Sequence, residues 1–398
     1  MAPRSFSELD LASKRVLLRA DLDVPLTPAG GLTDTDRLDA AARTMRQALD
    51  RGARLVVAGH MGAPPAQRKN RQEPPPSLEV VGSYLAEKLG RDVILADEPA
   101  GDGARKVVGD LREGQIVLLE NLHLAPGEVG CEEAFALALA SYCDVFVSDA
   151  FCTLHHRWAS TTRVARHASE FATGPLVERE LVNLAKLTTA VAKPYVAAIG
   201  GIGFGGKLPF LEKLLTQANT VLLGGSLGNT FVRARGGSTG RSLTEEDKLP
   251  NARSIIRKSG QTGGDLRLPQ DVVAAAGIRA TDGRIVQATQ VPDEAAALDI
   301  GPETVRSFSE VFSNAHTILL AGPMGACETS EFATGTIELA RAMTRVAGAF
   351  TVAIGAETTR AIRSAGLADR FSHVSMGDRA ALEFLRGAEL PGLVALEP

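Results

Sequence analysis

The stretch that decides the fold is R-V-L-L-R-A-D-L-D-V-P at residues 15–25, answered by R-L-V-V-A-G-H-M-G-A-P at residues 54–64. Each opens on a five-residue run with an apolar interior and closes on charged or small residues. Runs without polar alternation suit strands buried on both faces of a parallel sheet. Between them, residues 37–51 form an amphipathic stretch long enough for the crossover helix that parallel strands require. Working outward, further apolar runs fall at 92–95, 116–119 and 144–147, then at 195–199, 220–223, 317–320 and 350–354. Amphipathic stretches at 77–89, 131–142, 206–216 and 332–346 lie between them. The alternation spells an α/β architecture, twice over.

Length agrees with two halves, since 398 residues are two to three times an ordinary domain of about 100–150. Residues 178–193 read as one helix between the halves, ended by Pro194, which lacks an N–H and restricts the residue before it. Residues 67–76, Q-R-K-N-R-Q-E-P-P-P, read as a polar, proline-rich loop.

Composition excludes several function classes. With 44% hydrophobic and 23% charged residues the chain has material for full cores and is not a disordered one. A net charge of -4, one Trp and three Tyr give neither a field for polyanions nor stacking platforms for bases, so no nucleic-acid partner is expected. No apolar run approaches the roughly 18 residues of a membrane span, and the first nine residues carry early charge, so neither membrane insertion nor export is expected. Cys131, Cys143, Cys152 and Cys327 show no C-x-x-C spacing, which fits reduced cytoplasmic thiols better than zinc ligands.

The most specific motifs are R-A-D-L-D-V-P (19–25), H-M-G-A-P (60–64), L-L-E-N-L (118–122), D-A-F-C-T (149–153), A-G-P-M-G-A-C-E (321–328) and L-E-F-L-R-G-A-E-L-P-G (382–392). In this order and spacing the chain resembles the phosphoglycerate kinase family over nearly its whole length. The resemblance implies two doubly wound, Rossmann-like parallel-sheet domains joined by a hinge helix. It places an N-terminal acid-substrate domain at 1–177, the interdomain helix at 178–193 and a C-terminal nucleotide-binding domain at 194–380. Residues 381–398 would return to the first domain. ATP or ADP with Mg²⁺ are the implied cofactors, and a monomer is expected.

In the acid half, Asp21, Arg37 and His60 fall on family ligand positions, Arg37 being the cation that reaches toward the transferred phosphoryl group. The family's Asn after Asp21 is Asp23 here. Ala63, His123 and His156 stand where the resemblance puts arginines, with Arg157 one position late as a stand-in for the last. Each guanidinium contact to a phosphate is typically worth about 1.5–3 kcal/mol. Three losses and one added carboxylate therefore imply about a thousandfold or greater loss of affinity for 3-phosphoglycerate.

In the nucleotide half, the family's G-G-A-K-V-S-D-K appears as G-G-I-G-F-G-G-K (200–207). Gly203 replaces a lysine that in the family helps stabilise the phosphoryl in flight, while Lys207 is retained and is expected to be catalytic beside Arg37. Gly201, Gly224 and Gly225, then Leu298, Pro323 and Glu328, match nucleotide positions. Glu357 and Thr358 open a helix whose N–H groups suit phosphate, with Glu357 as the magnesium carboxylate.

From these residues the expected function is ATP-dependent activation of a carboxylic acid other than 3-phosphoglycerate to an acyl phosphate, with capture by an amine co-substrate as an amide ligase its extension. The alternatives are an ordinary phosphoglycerate kinase and a non-catalytic binding protein of the same fold.

Overall fold

The computed structural model describes residues 3–68, 70, 73–262 and 264–397. Three residues of the expected 67–76 loop, Lys69, Arg71 and Gln72, lie outside them. The chain divides into two compact units, residues 1–182 with 388–398, and residues 183–387.

In the first unit the strands are β1 (Arg15–Arg19), β2 (Arg54–Ala58), β3 (Val93–Leu95), β4 (Ile116–Leu118), β5 (Val145–Ser148) and β6 (Glu170–Thr173). They form one parallel sheet in the order β3-β4-β2-β1-β5-β6. The apolar runs are buried as their lack of alternation requires: Val16, Leu17 and Leu18 of β1 pack into two different clusters, one on each face. Helix Asp36–Asp50 covers one face with Leu38, Ala41, Ala42 and Met45. The strand order reverses at β1, where the chain leaves toward β2 on one side and returns as β5 on the other. That switch point is where a doubly wound sheet opens a crevice at its carboxyl ends.

The second unit continues with β7 (Tyr195–Ile199), β8 (Thr220–Leu223), β9 (Ser238–Thr239), β10 (Asp265–Arg267), β11 (Asp271–Ala275), β12 (Arg284–Gln287), β13 (Gln290–Val291), β14 (Ala296–Ile300), β15 (Thr317–Ala321), β16 (Phe350–Ile354) and β17 (His373–Val374). Its main sheet is parallel, β10-β8-β7-β15-β16-β17, with the switch between β7 and β15. A small antiparallel sheet, β12-β11-β14, and a two-strand pair, β13-β9, are added beside it. The sequence reading does not anticipate these additions; β12 is only four residues, largely exposed, too short for a periodic pattern.

The helix expected at 178–193 runs instead over Pro175–Ala185. Its start is set by Asp149, whose carboxylate accepts the Leu176 and Val177 N–H groups at 2.7 and 3.3 Å. Beyond it the Thr188 and Thr189 hydroxyls both donate to the Ala185 carbonyl, satisfying a helix-end acceptor. At the chain's end, residues 388–398 group with the first unit: Gly392 N–H donates to Leu154 O at 2.9 Å and Leu396 is buried in its core. Helix Asp378–Leu385, which spans the expected turning point at 381, groups with the second unit. No helix among the described residues is long and apolar enough to cross a membrane.

Candidate functional site

The acid-facing residues gather where β1, β2 and β4 end. Arg19, the last residue of β1, is 1% exposed, so burial pulls its pKa down and each guanidinium N–H needs a partner. It donates to Ser160 Oγ at 2.9 Å, to the Ala20 carbonyl at 2.7 Å and to His60 Nδ1 at 2.9 Å. Beneath it Glu128, fully buried and with its pKa raised by that burial, accepts from the Ser160 hydroxyl and N–H at 2.6 and 2.9 Å. Because a guanidinium only donates, His60 Nδ1 is bare and the ring proton sits on Nε2. That nitrogen lies 4.0 Å from Asp23.

His123 takes the opposite tautomer. Its Nδ1 is 2.9 Å from the Gly62 carbonyl, which only accepts, so Nδ1 carries the proton and Nε2 is a buried lone pair without a hydrogen bond. Trp158 joins the histidines into one ring cluster: His156 stacks on it at 4.0 Å and 6°, while His60 and His123 meet it edge-on at 5.1 and 4.9 Å. Arg37 is paired with Asp21, and Asp23 accepts the Gly62 N–H at 2.8 Å.

The structure thus brings Asp21, Asp23, Arg37, His60, His123 and His156 into one neighbourhood. Ala63 and Arg157 are both exposed, and Arg157 makes no hydrogen bond or ion pair among the described residues. The surroundings alter the charge count made from the sequence. Asp23 is not a bare carboxylate, because the Gly62 N–H binds it. His60 and His123 add no compensating charge: burial, the Arg19 guanidinium and neighbouring rings hold His60 well below the usual value, and burial first of all takes His123 to about 4. Sequence reasoning missed Arg19, Glu128, Ser160 and Trp158. A charged residue ending an apolar strand, and the single Trp directly after H-H-R, were the available signals.

In the second unit a cleft opens at the carboxyl ends of β7, β8 and β15, by the switch point. Its walls are built by backbone approach. The Gly201 N–H donates to Pro323 O at 2.6 Å and the Gly225 N–H to Met324 O at 2.9 Å. A Cβ on Gly225, whose φ is +59°, would stand 2.6 Å from Gly201 N, so glycine is required there. Gly201, Gly225, Leu298, Pro323, Glu328 and Glu357 all line the cleft.

Gly203, Gly224, Lys207 and Thr358 do not. Gly203 caps helix Phe204–Gln217 in the left-handed region, and Gly224 makes room for Met324, whose Sδ would lie 2.5 Å from a Cβ. Lys207 stands beside the cleft with its Nζ donated to Gly200 O at 2.6 Å. Burial pushes it down to about 8, against the opposing pull of Glu357 and Glu245. Thr358 is fully buried at the start of helix Ala356–Ser364, and its Oγ1 has no hydrogen-bond partner. Asn229, Asp299 and Met324, also in the lining, were not anticipated. Their signal is weak because each reads as an ordinary core or capping residue.

Magnesium bound with a nucleotide commonly uses one or two protein carboxylates, phosphate oxygens and water. Glu357 in the cleft wall with the unpaired Thr358 hydroxyl beside it fits that donor set. No group of three or more His, Cys, Asp or Glu suited to a metal occurs among the described residues.

The family profile described as "Phosphoglycerate kinase" matches residues 6–388. Phosphoglycerate kinase of Anaeromyxobacter dehalogenans (strain 2CP-C) is 42% identical over 398 residues, covering 100% of both chains. That of Desulfosudis oleivorans is 39% identical, covering 99% of this chain and 98% of its own. Among solved structures, phosphoglycerate kinase from Pyrococcus horikoshii superposes with a TM-score of 0.89 at 28% identity, and that from Coxiella burnetii with 0.82 at 32%; the alignments cover 100% and 99% of this chain and 98% of each of theirs.

These full-length matches overturn the expectation of a different acid and an amine acceptor. The charge arithmetic behind it counted three missing arginines and one extra carboxylate, but omitted the Arg19 guanidinium under His60 and the amide that binds Asp23. The matches support kinase activity over a non-catalytic binding protein. From end to end, in sequence and in fold, the chain belongs to the phosphoglycerate kinase family.

Proposed function

We propose that the protein is an ordinary phosphoglycerate kinase, transferring a phosphoryl group reversibly between ATP and the carboxylate of 3-phosphoglycerate to give 1,3-bisphosphoglycerate and ADP. The observation that carries this reading is the full-length identity of about 40% to proteins of that name.

The chemistry asks little of the protein beyond positioning and charge. A carboxylate acceptor is already ionised at neutral pH, so no general base is needed, and the transferred group is stabilised by cations. Arg37, held by Asp21, supplies one on the acid side; Lys207 supplies the other beside the nucleotide cleft. The nucleotide base would lie against Leu298 and Pro323, with Glu328 toward the ribose and the helix starting at Ala356 toward the phosphates. Magnesium, held by Glu357, supplies charge neutralisation when bound. His60 and His123 stay neutral, so they orient and pack; they add no charge. The protein would act as a monomer in the cytoplasm.

ATP consumption coupled to 1,3-bisphosphoglycerate formation tests the reading directly. Magnesium-dependent turnover of 3-phosphoglycerate is expected. Tight MgATP binding with no transfer to 3-phosphoglycerate at any pH between 6 and 9 would overturn it.

A further inference from the structure

A second cavity of about 330 Å³ lies in the same unit as the nucleotide cleft but outside it, and its charge is opposite. The nucleotide cleft is lined by Asp299, Glu328 and Glu357 and by no Lys or Arg. The second cavity is lined by Arg235 and Arg267 and by no Asp or Glu. Its floor is apolar: Val232 and Phe308, 3% and 1% exposed, close it from below, with Leu266, Leu268 and Pro269 along the wall. Gln270, Thr289 and Ser307 complete the rim.

The rim groups are largely uncommitted. The side chains of Arg235, Gln270 and Thr289 make no hydrogen bond or ion pair among the described residues; their backbone groups bond elsewhere, Arg235 N–H to Phe231 O at 3.1 Å, Gln270 N–H to Thr304 Oγ1 at 2.9 Å and Thr289 O to the Ser238 N–H. Arg267 is tied to Asp265 through Nε at 2.6 Å, which fixes the guanidinium plane and leaves its other N–H groups available. Two guanidinium groups, an amide and a hydroxyl offer more donors than one carboxylate can use, whereas a phosphate monoester has three oxygens to share among them. The buried floor adds a place for an apolar body.

We propose that this cavity is a binding site for a small phosphate monoester carrying an apolar body, its phosphate held by Arg235 and Arg267 and its body seated over Val232 and Phe308. It is a separate site from the nucleotide cleft, although Pro269 borders both.

Phenyl phosphate is the probe, titrated by calorimetry into the full chain with saturating MgADP to keep the nucleotide cleft filled. One equivalent should bind. Arg235→Gln and Arg267→Gln should each weaken it tenfold or more while leaving MgADP affinity and thermal midpoint unchanged, since both side chains are exposed. Benzyl alcohol, with the body and no charge, and inorganic phosphate, with the charge and no body, should each bind at least tenfold more weakly. Equal phenyl phosphate affinity in wild type and both variants would overturn the site, and inorganic phosphate binding as tightly as phenyl phosphate would overturn the apolar seat. If MgADP fails to bind, the nucleotide reading fails by itself; the two Arg variants still report on this cavity.

Discussion

Around His60 in the first unit, polar side chains bond mainly to one another: Arg19 to Ser160 and His60, Glu128 to Ser160, Arg37 to Asp21. Around Gly225 in the second unit, the walls are backbone, and hydrogen bonds such as Gly201 N–H to Pro323 O join the strand ends themselves. A side-chain network can be altered residue by residue, because each member has neighbours that re-form contacts. A backbone cradle cannot, since one Cβ at Gly225 collides with main chain. The departures expected from the sequence in the first region, at Ala63, His123 and His156, are accordingly exchanges of side chains. In the second, Gly201, Gly203 and Gly225 all lie at positive φ, and of these Gly225 is also hemmed in by main chain while a Cβ on Gly203 would meet nothing within 4 Å.

The sharpest way to break this comparison is to remove the one acid-side cation assigned to the transferred phosphoryl. Arg37→Ala should lower kcat/KM for 3-phosphoglycerate by about a thousandfold, in the range known for arginines that stabilise phosphoryl transfer, with MgATP binding retained in calorimetry. Near wild-type turnover would move that role to another residue.

On the nucleotide side, Lys207→Ala should cost about a hundredfold in kcat/KM. Because burial sets its pKa near 8, the lysine loses its charge as pH rises through that value. MgADP affinity in the wild type should fall above pH 8, and the bend should vanish in the variant. An identical pH profile in both proteins would remove Lys207 from the nucleotide's charge balance.

Stability should separate the regions next. His123 is 2% exposed with a pKa near 4, below its ordinary 6.5. A depressed folded pKa means the unfolded chain takes up the proton first, so this contribution is complete above pH 6.5 and is lost as pH falls toward 4. The full loss is about 3 kcal/mol. Denaturant titrations of wild type and His123→Asn should differ in pH slope over that window, and equal slopes would show that the ring titrates in the open. Asp149, pushed up to about 7 by burial, works in the opposite direction, which is why the variant comparison is needed.

Gly225→Ala should lower stability by about 2 kcal/mol, through positive φ and the clash with Gly201 N, and abolish nucleotide binding. Wild-type melting and MgADP affinity would show that the cradle yields. The smallest effect is expected at Arg157: Arg157→Ala should change turnover less than twofold and stability by under about 0.5 kcal/mol. A tenfold loss of affinity for 3-phosphoglycerate would instead make it the stand-in for the arginine expected at position 156.

Much of this was written locally. Apolar runs such as 15–19 and 195–199 have strand character without reference to anything distant, because burial on both faces removes polar alternation. Glycine at 225 and the acid at 357 are likewise visible as residue types, and the order of motifs carries the family. The tautomers of His60 and His123, the clamp on Asp23 and the pairing of Arg37 with Asp21 were decided only by tertiary structure. Each depends on a partner far away in sequence: Arg19 for His60, Gly62 for His123 and Asp23. The charge of a pocket is likewise a sum over everything folded into it, buried guanidinium and backbone amide included. Counting substitutions along a chain cannot supply that sum, because residue type fixes which protons exist and only the packed neighbours fix where they sit and what they neutralise.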